Sequence, residues 1–319
     1  LTQLILPSPI GLHLADGRVI GNGSVKSVKK RKVNQTIDVL VGKNKELQDT
    51  YNELTVSFND SCDLVVRAYD EGVAYHFATR LNGEITIISE DAIFNFASTP
   101  TIYYPECDAN YSGETDQSGR THQVHQGYRN FERLYKVYKG PLEIPYERFA
   151  VSPVLYEYPD SPYKVVVTES NIYDYPALYM ESNGYNSMRG KWANYPKETI
   201  DSDPSNPYYW YSNHLVVTRE NYIAKTDGNR SFPWRVIIVS EDDKSLLNNE
   251  LVYKLADPCR LTDTSWIQPG KSAWEWWHKA VLEGVDFPSG NKQLSLQLYK
   301  YYVDWASKNH IEYMTLDAG

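Results

Sequence analysis

The apolar residues of this chain change period once, and that change limits what it can fold into. Up to about residue 255 they come in short runs rich in Val, Ile, Tyr and Phe: Ile37–Val41, Leu54–Phe58, Leu64–Tyr69, Val73–Thr79, Ile85–Ile88, Lys164–Thr168, His214–Val217 and Trp234–Val239. Several alternate apolar and polar residues, as half-buried strands do. Turn-forming residues separate them, among them Asn59-Asp60, Asp70-Glu71-Gly72, Asn82-Gly83 and Asp227-Gly228-Asn229. Many short strands at close spacing argue a sandwich, and the span is too long for a seven-stranded one of ~100 residues.

Beyond the Pro-bounded stretch Cys259–Pro269 the period lengthens. Leu294, Leu298, Tyr301, Tyr302 and Trp305 fall on one helix face. Gly290-Asn291 offers a start for that helix and Asn309 a stop. With strands expected at Ser272–Trp276 and Ile311–Leu316, the segment reads as a βαβ unit, the building block of a βα-barrel. One unit cannot close a barrel. The expected organisation is an all-β domain over residues 1–258, a linker over 259–270, and the start of a barrel over 271–319, its remainder lying outside this sequence. Within Asp242–Pro258, Leu246, Leu247, Leu251 and Leu255 approach helical spacing.

Composition narrows the function classes. The net charge of −9 disfavours a nucleic-acid partner. No stretch approaches the ~20 apolar residues that cross a bilayer, and no basic region precedes the apolar N-terminal LTQLILPSPI, so it does not read as a signal peptide. Cys62, Cys107 and Cys259 have no metal-ligand spacing and read as buried free thiols. The 27 tyrosines and eight tryptophans suit stacking on sugar rings, although β-rich proteins favour tyrosine anyway.

Four places carry candidate chemistry. In KSAWEWWHKA, a strand Ser272–Trp276 puts Trp276, Trp277 and His278 near a barrel rim, where active sites are built. Alternation then sets Trp274 and Trp276 on one side and Glu275 and Trp277 on the other. The rings suit a sugar platform; the plainer reading is packing. Asp317, at the end of the next strand, suits a sugar hydroxyl or a structural cap. Glu169 follows a strand that ends at Thr168 and reads as an exposed strand-tip carboxylate, the usual residue type for calcium but a routine one at a strand end. The Gly-containing segment Asn186–Pro196 reads as a loop carrying Arg189, Lys191 and Trp192. Asp201–Trp210 is rich in oxygen ligands but lacks EF-hand spacing, and no hydrolase, metalloprotease or nucleotide-binding motif occurs.

The segments YNELTVSF (51–58), VVRAYDEGVAYHF (65–77), TESNIYDYPALYM (168–180), RGKWANYP (189–196) and DTSWIQPGKSAWEWW (263–277) together resemble glycoside hydrolase family 97, and residues 291–319 extend the resemblance across the chain. It implies a mainly β fold, a mutarotase-like β-super-sandwich followed by a (β/α)8 barrel. It also implies an exported, periplasmic or secreted bacterial α-glucosidase or α-galactosidase with calcium in its active site. Glu169 matches the family's sandwich glutamate and is the calcium-ligand candidate; Arg189, Lys191, Trp276, Trp277 and Asp317 are the substrate-binding candidates. The catalytic carboxylates are expected beyond Gly319. KSAWEWW and FPSGN look closer to the retaining, α-galactosidase-like members, with α-glucosidase the next choice. Two alternatives stand beside this. A non-catalytic carbohydrate-binding sandwich has no use for a βαβ unit, and a mutarotase-type epimerase needs His76 or His214 paired with a carboxylate.

Overall fold

The structure is a computed structural model, and it describes residues 3–107, 112–115, 121–123, 137–142, 149–184, 186–201 and 214–316. Two compact units emerge, one of Leu1–Val39 with Asn44–Asp257, the other of Leu40–Lys43 with Pro258–Gly319.

The first unit is built on one antiparallel sheet of 15 strands among the described residues. Strands Val25–Asp38, Glu46–Phe58, Cys62–Tyr69 and Gly72–Asn95 follow one another by short turns, with Val33 opposite Tyr51 and Val65 opposite His76. Gly72–Asn95 is the hub. Along its 24 residues it also pairs with Trp234–Ser240, Ala224–Ser231, Ile10–Leu14 and Ser187–Lys191. Strands far apart in the sheet order share one core: Phe58, Leu64 and Val66 near one end, Met180 and Met188 at the other, with Phe77, Phe94 and Tyr156 between them. The sheet therefore folds back on itself as a sandwich. A second cluster covers the outer face, where Leu251 and Leu255 of the short helix Leu251–Leu255 pack on Ala74, Trp234, Val236 and Ile238. Trp234–Ser240 is thus covered on both faces, which is why its sequence is a near-continuous apolar run.

Several expectations change in detail. Asn82-Gly83 is no turn, because Gly72–Asn95 runs through it. Asp227 pairs with Glu84 and Asn229 with Arg80, so Leu81–Gly83 bulges out opposite Gly228. Gly83 has φ +73, and a side chain at Gly228 would lie 2.8 Å from the Leu81 carbonyl oxygen. Asn186–Pro196 is not all loop: Ser187–Lys191 is a strand between Tyr179–Ser182 and Gly72–Asn95. Its Gly190 leaves the space that the Trp192 ring occupies. The run Ile37–Val41 ends as strand at Asp38. Cys62 is buried but Cys259 is exposed, and the Cys107 side chain lies outside the described residues.

In the second unit, Ser272–Trp274 pairs in parallel with Tyr313–Thr315, and the helix Leu296–Lys308 connects them. The helix starts later than Gly290-Asn291 because Ser295 caps it, its hydroxyl accepting from the Leu298 N–H at 3.2 Å. Leu298 and Tyr302 pack with Ala280, against Leu282, Phe287 and Met314. The described residues thus contain one βαβ unit. The first strand stops at Trp274, and Glu275–His278 turns as a 3₁₀ helix. The expected alternation of Trp274 and Trp276 against Glu275 and Trp277 therefore does not form. No helix among the described residues is long and apolar enough to cross a membrane.

Candidate functional site

Strand Trp234–Ser240 lies between Lys164–Ser170 and Gly72–Asn95, which sets Arg235 opposite Glu169 on one side and Tyr75 on the other. Arg235 is 1% exposed. Its Nε and Nη2 donate to the two oxygens of Glu90, each at 2.7 Å, and its Nη1 donates to Glu169 Oε2 at 2.8 Å. The Leu178 N–H donates to Glu169 Oε1 at 2.6 Å, and the Tyr175 hydroxyl to Glu90 Oε2 at 2.9 Å. The guanidinium stacks 5.1 Å from the Trp192 ring centre and 5.8 Å from that of Tyr175. Two carboxylates and one cation thus share a buried pocket. The fork geometry of arginine satisfies three carboxylate oxygens at once, which a lysine would not do.

The electrostatics follow from this balance. Burial raises the Glu169 carboxyl above its ordinary range, against the lowering effect of Arg235 and of the Leu178 N–H. Burial opposes the charge on Arg235, yet Glu90 and Glu169 hold it firmly protonated. Burial and then Glu90 raise the Tyr175 hydroxyl well above its usual range. Glu169 is 7% exposed, so it is not the exposed strand-tip carboxylate that its place after Thr168 suggested. The strand runs on to Ser170, carrying Glu169 into the ladder.

Calcium takes about six to eight oxygens. Here both oxygens of Glu169 are engaged, one by a guanidinium, and no three His, Cys, Asp or Glu converge on a metal position among the described residues. The described residues do not fit a calcium site.

Arg189 and Lys191 lie on one strand and share Glu181: Arg189 Nε donates to Oε1 at 2.7 Å and Lys191 Nζ to Oε2 at 2.8 Å. Arg189 keeps 52% of its side chain exposed. Trp276 is 50% exposed on the 3₁₀ turn. Trp277 is on the same turn, but its side chain lies outside the described residues, as does Asp317 altogether. In the sandwich, therefore, Glu169 and Trp192 meet around Arg235, while Arg189 and Lys191 meet around Glu181.

Glu90, Tyr175 and Arg235 were not among the expected site residues, although a lone arginine inside WRVIIV is the signal of a buried counter-ion. In the βαβ unit, Glu275 is buried and accepts from the Tyr299 hydroxyl at 3.3 Å, and the Tyr302 hydroxyl lies 2.8 Å from His278 Nε2. His76 packs 4.0 Å from the Trp234 ring centre, with Nδ1 on the Phe77 carbonyl at 3.1 Å. No carboxylate hydrogen-bonds it among the described residues, and the side chain of His214 lies outside them, so the epimerase pairing gains no support.

A large antiparallel sandwich with a buried ionic core, followed by a βαβ unit, is a two-part architecture that can be compared with known proteins. The sequence profile of the glycosyl-hydrolase 97 N-terminal family matches residues 2–258, and the chain belongs to that family. It is 34% identical over 319 residues to a retaining alpha-galactosidase of Bacteroides thetaiotaomicron, covering 99% of this chain and 46% of that protein. It is 25% identical over 318 residues to a probable retaining alpha-galactosidase of Streptomyces bingchenggensis, covering 98% and 40%. A glycoside hydrolase family 97 enzyme of Pseudoalteromonas sp. strain K8, solved with acarbose, shares the fold at a TM-score of 0.70 and 19% identity, over 98% of this chain and 42% of that one. The chain thus spans less than half the length of these relatives.

Proposed function

We propose that the chain is the N-terminal part of an exo-acting α-glycosidase, with α-galactosides preferred to α-glucosides. The observation that carries this is the 34% identity to a retaining alpha-galactosidase over 319 residues, which runs through the sandwich and the βαβ unit alike. A free-standing carbohydrate-binding sandwich would not explain similarity beyond residue 258.

In this reading the βαβ unit opens a (β/α)8 barrel whose later strands hold the catalytic pair. One carboxylic acid protonates the glycosidic oxygen and a second carboxylate attacks C1; retention requires the two about 5 Å apart. Trp276 and Trp277, on the turn that leaves the first strand, supply ring faces for a sugar. Arg189, Lys191 and Asp317 supply polar contacts to its hydroxyls. The Arg235 cluster keeps the Glu169 strand end and Trp192 fixed, so that the segments they anchor keep one shape. Calcium dependence rests on the family resemblance alone, as does export to the periplasm or outside the cell.

The test is turnover of aryl α-galactoside and aryl α-glucoside by the full-length protein. Faster release from the galactoside supports the reading. Release from neither, with the protein folded, overturns it.

A further inference from the structure

We propose that the free edge strand Val25–Asp38 is a binding site for an acidic polysaccharide. Lys26, Lys29, Lys30, Arg31 and Lys32 put five cations into seven residues, with no acidic residue before Asp38, in a chain whose net charge is −9. The strand ends the sheet order among the described residues, and none of its 14 residues is buried. It therefore presents its cations rather than packing them. Arg31 pairs with Glu53, whereas Lys26, Lys29, Lys30 and Lys32 make no ion pair among the described residues. At one end of the strand lies a groove of about 340 Å³, lined by Lys26, Ser27, Lys29, Asn59, Ser61 and Arg80. Cations and the hydroxyls of Ser27, Ser57 and Ser61 line it, while the Asn59 amide donates to the Ser24 hydroxyl at 2.8 Å. Arg80 is already held by Asp63 at 2.6 and 2.9 Å, and Lys29 also acts on that carboxylate from a distance, so the two lysines are the cations of the groove that no carboxylate holds in an ion pair among the described residues.

From Lys26 to Lys32 the strand extends roughly 20 Å. From Ser27 on, successive side chains point to opposite faces, so Lys30 and Lys32 fringe one side of the edge and Lys29 the other, while the bulge between Val25 and Ser27 lets Lys26 line the same groove as Lys29. A linear polymer with repeated carboxylate or sulfate groups can lie along such a fringe. The exposed apolar residues of the lysine segment are Val25 and Val28, which are too small to anchor in a lipid interface, and Phe58, the aromatic that lines the groove, is buried in the core and offers no open face for a base to stack on. The choice of a glycan over another polyanion rests on the glycosidase reading above; the charge argument does not.

Edge strands are commonly studded with lysine to block edge-to-edge pairing, and a charge of either sign does that. The sign of the charge therefore separates the two roles. The experiment is native electrophoresis of the full-length protein through gels containing polygalacturonate, dextran sulfate or neutral dextran. Retardation is expected with the two acidic polymers and not with neutral dextran, and it should fade as salt screens the charges. The variant K26E/K29E/K30E/K32E should lose at least tenfold in apparent affinity while keeping its melting temperature, its size by gel filtration and its aryl α-glycoside turnover. The milder K26Q/K29Q, confined to the groove, should weaken binding without touching the rest of the edge, and it serves if the quadruple variant misfolds. Absence of wild-type retardation, equal retardation of the variants, or tighter binding of single-stranded DNA or anionic phospholipid vesicles overturns the proposal. Turnover is read separately, so a failure of binding is distinguishable from a failure of the glycosidase reading.

Discussion

Arg235 is the residue on which the sandwich interior depends most. With it gone, Glu90 and Glu169 are like charges in a buried pocket with no other counter-ion among the described residues. Removing one partner of a buried ionic cluster typically costs about 3–5 kcal/mol. Arg235→Met is expected to lower stability by that order in urea unfolding, and adding Glu169→Gln should recover part of the loss. Because the guanidinium already compensates Glu169, millimolar calcium should stabilise this chain by under ~0.5 kcal/mol, a limit that follows from weak binding; a melting scan with and without chelator checks it. His76 gives the pH response. Burial first, then Arg67, push its imidazole down from 6.5 to about 4. Between those values the unfolded chain binds a proton that the native chain does not. The stability His76 confers is thus complete above pH 6.5 and is lost as pH falls toward 4, a loss on the order of 3 kcal/mol. Glu169, raised by burial, acts in the opposite sense: its contribution is full below 4.5 and is lost as pH rises through its raised value. The difference between wild type and His76→Gln isolates the imidazole, and a flat difference between pH 6.5 and 4 would contradict its assignment.

At the scale of elements, the turn after Cys62–Tyr69 depends on Gly72, whose added Cβ would collide with the Ile237 carbonyl oxygen. Gly72→Ala must part Gly72–Asn95 from Trp234–Ser240, which cross-pair at Gly72 and Ile238. A loss of about 3 kcal/mol is expected in chemical denaturation. The apolar runs make the long strands Glu46–Phe58, Cys62–Tyr69, Gly72–Asn95 and Lys164–Ser170 legible from the sequence, because a sheet with one buried face imposes period 2, whereas short or polar strands such as Val154–Glu157, Tyr179–Ser182 and Ala224–Ser231 carry no such run. What was not legible has physical causes. Asn82-Gly83 has the chemistry of a turn, but the same positive-φ chemistry makes a bulge, and only the Ala224–Ser231 partner decides between them. Gly190 suggested a loop because glycine weakens a strand, yet here it makes room for Trp192. The apolar face of Leu296–Lys308 marks the helix, but Gly290-Asn291 and Ser295 both carry start signals, and the hydroxyl of Ser295 is the one that caps it. Arg235 was missed because its partners Glu90 and Glu169 are 145 and 66 residues away in sequence.

For the whole molecule, a family-97 sandwich is followed by a βαβ unit, and under the proposed function that unit opens a barrel whose later strands carry the catalytic carboxylates. That division predicts where activity resides. The most direct measurement is hydrolysis of aryl α-galactoside by two proteins prepared alike, the full-length enzyme and the 319-residue chain, each shown to be folded by circular dichroism, with the first-formed sugar anomer read by proton NMR. The account predicts turnover by the full-length enzyme with the α-anomer formed first, slower release from the aryl α-glucoside, and no turnover by the chain alone. Undiminished turnover by the chain alone, or none by the folded full-length enzyme, would contradict it.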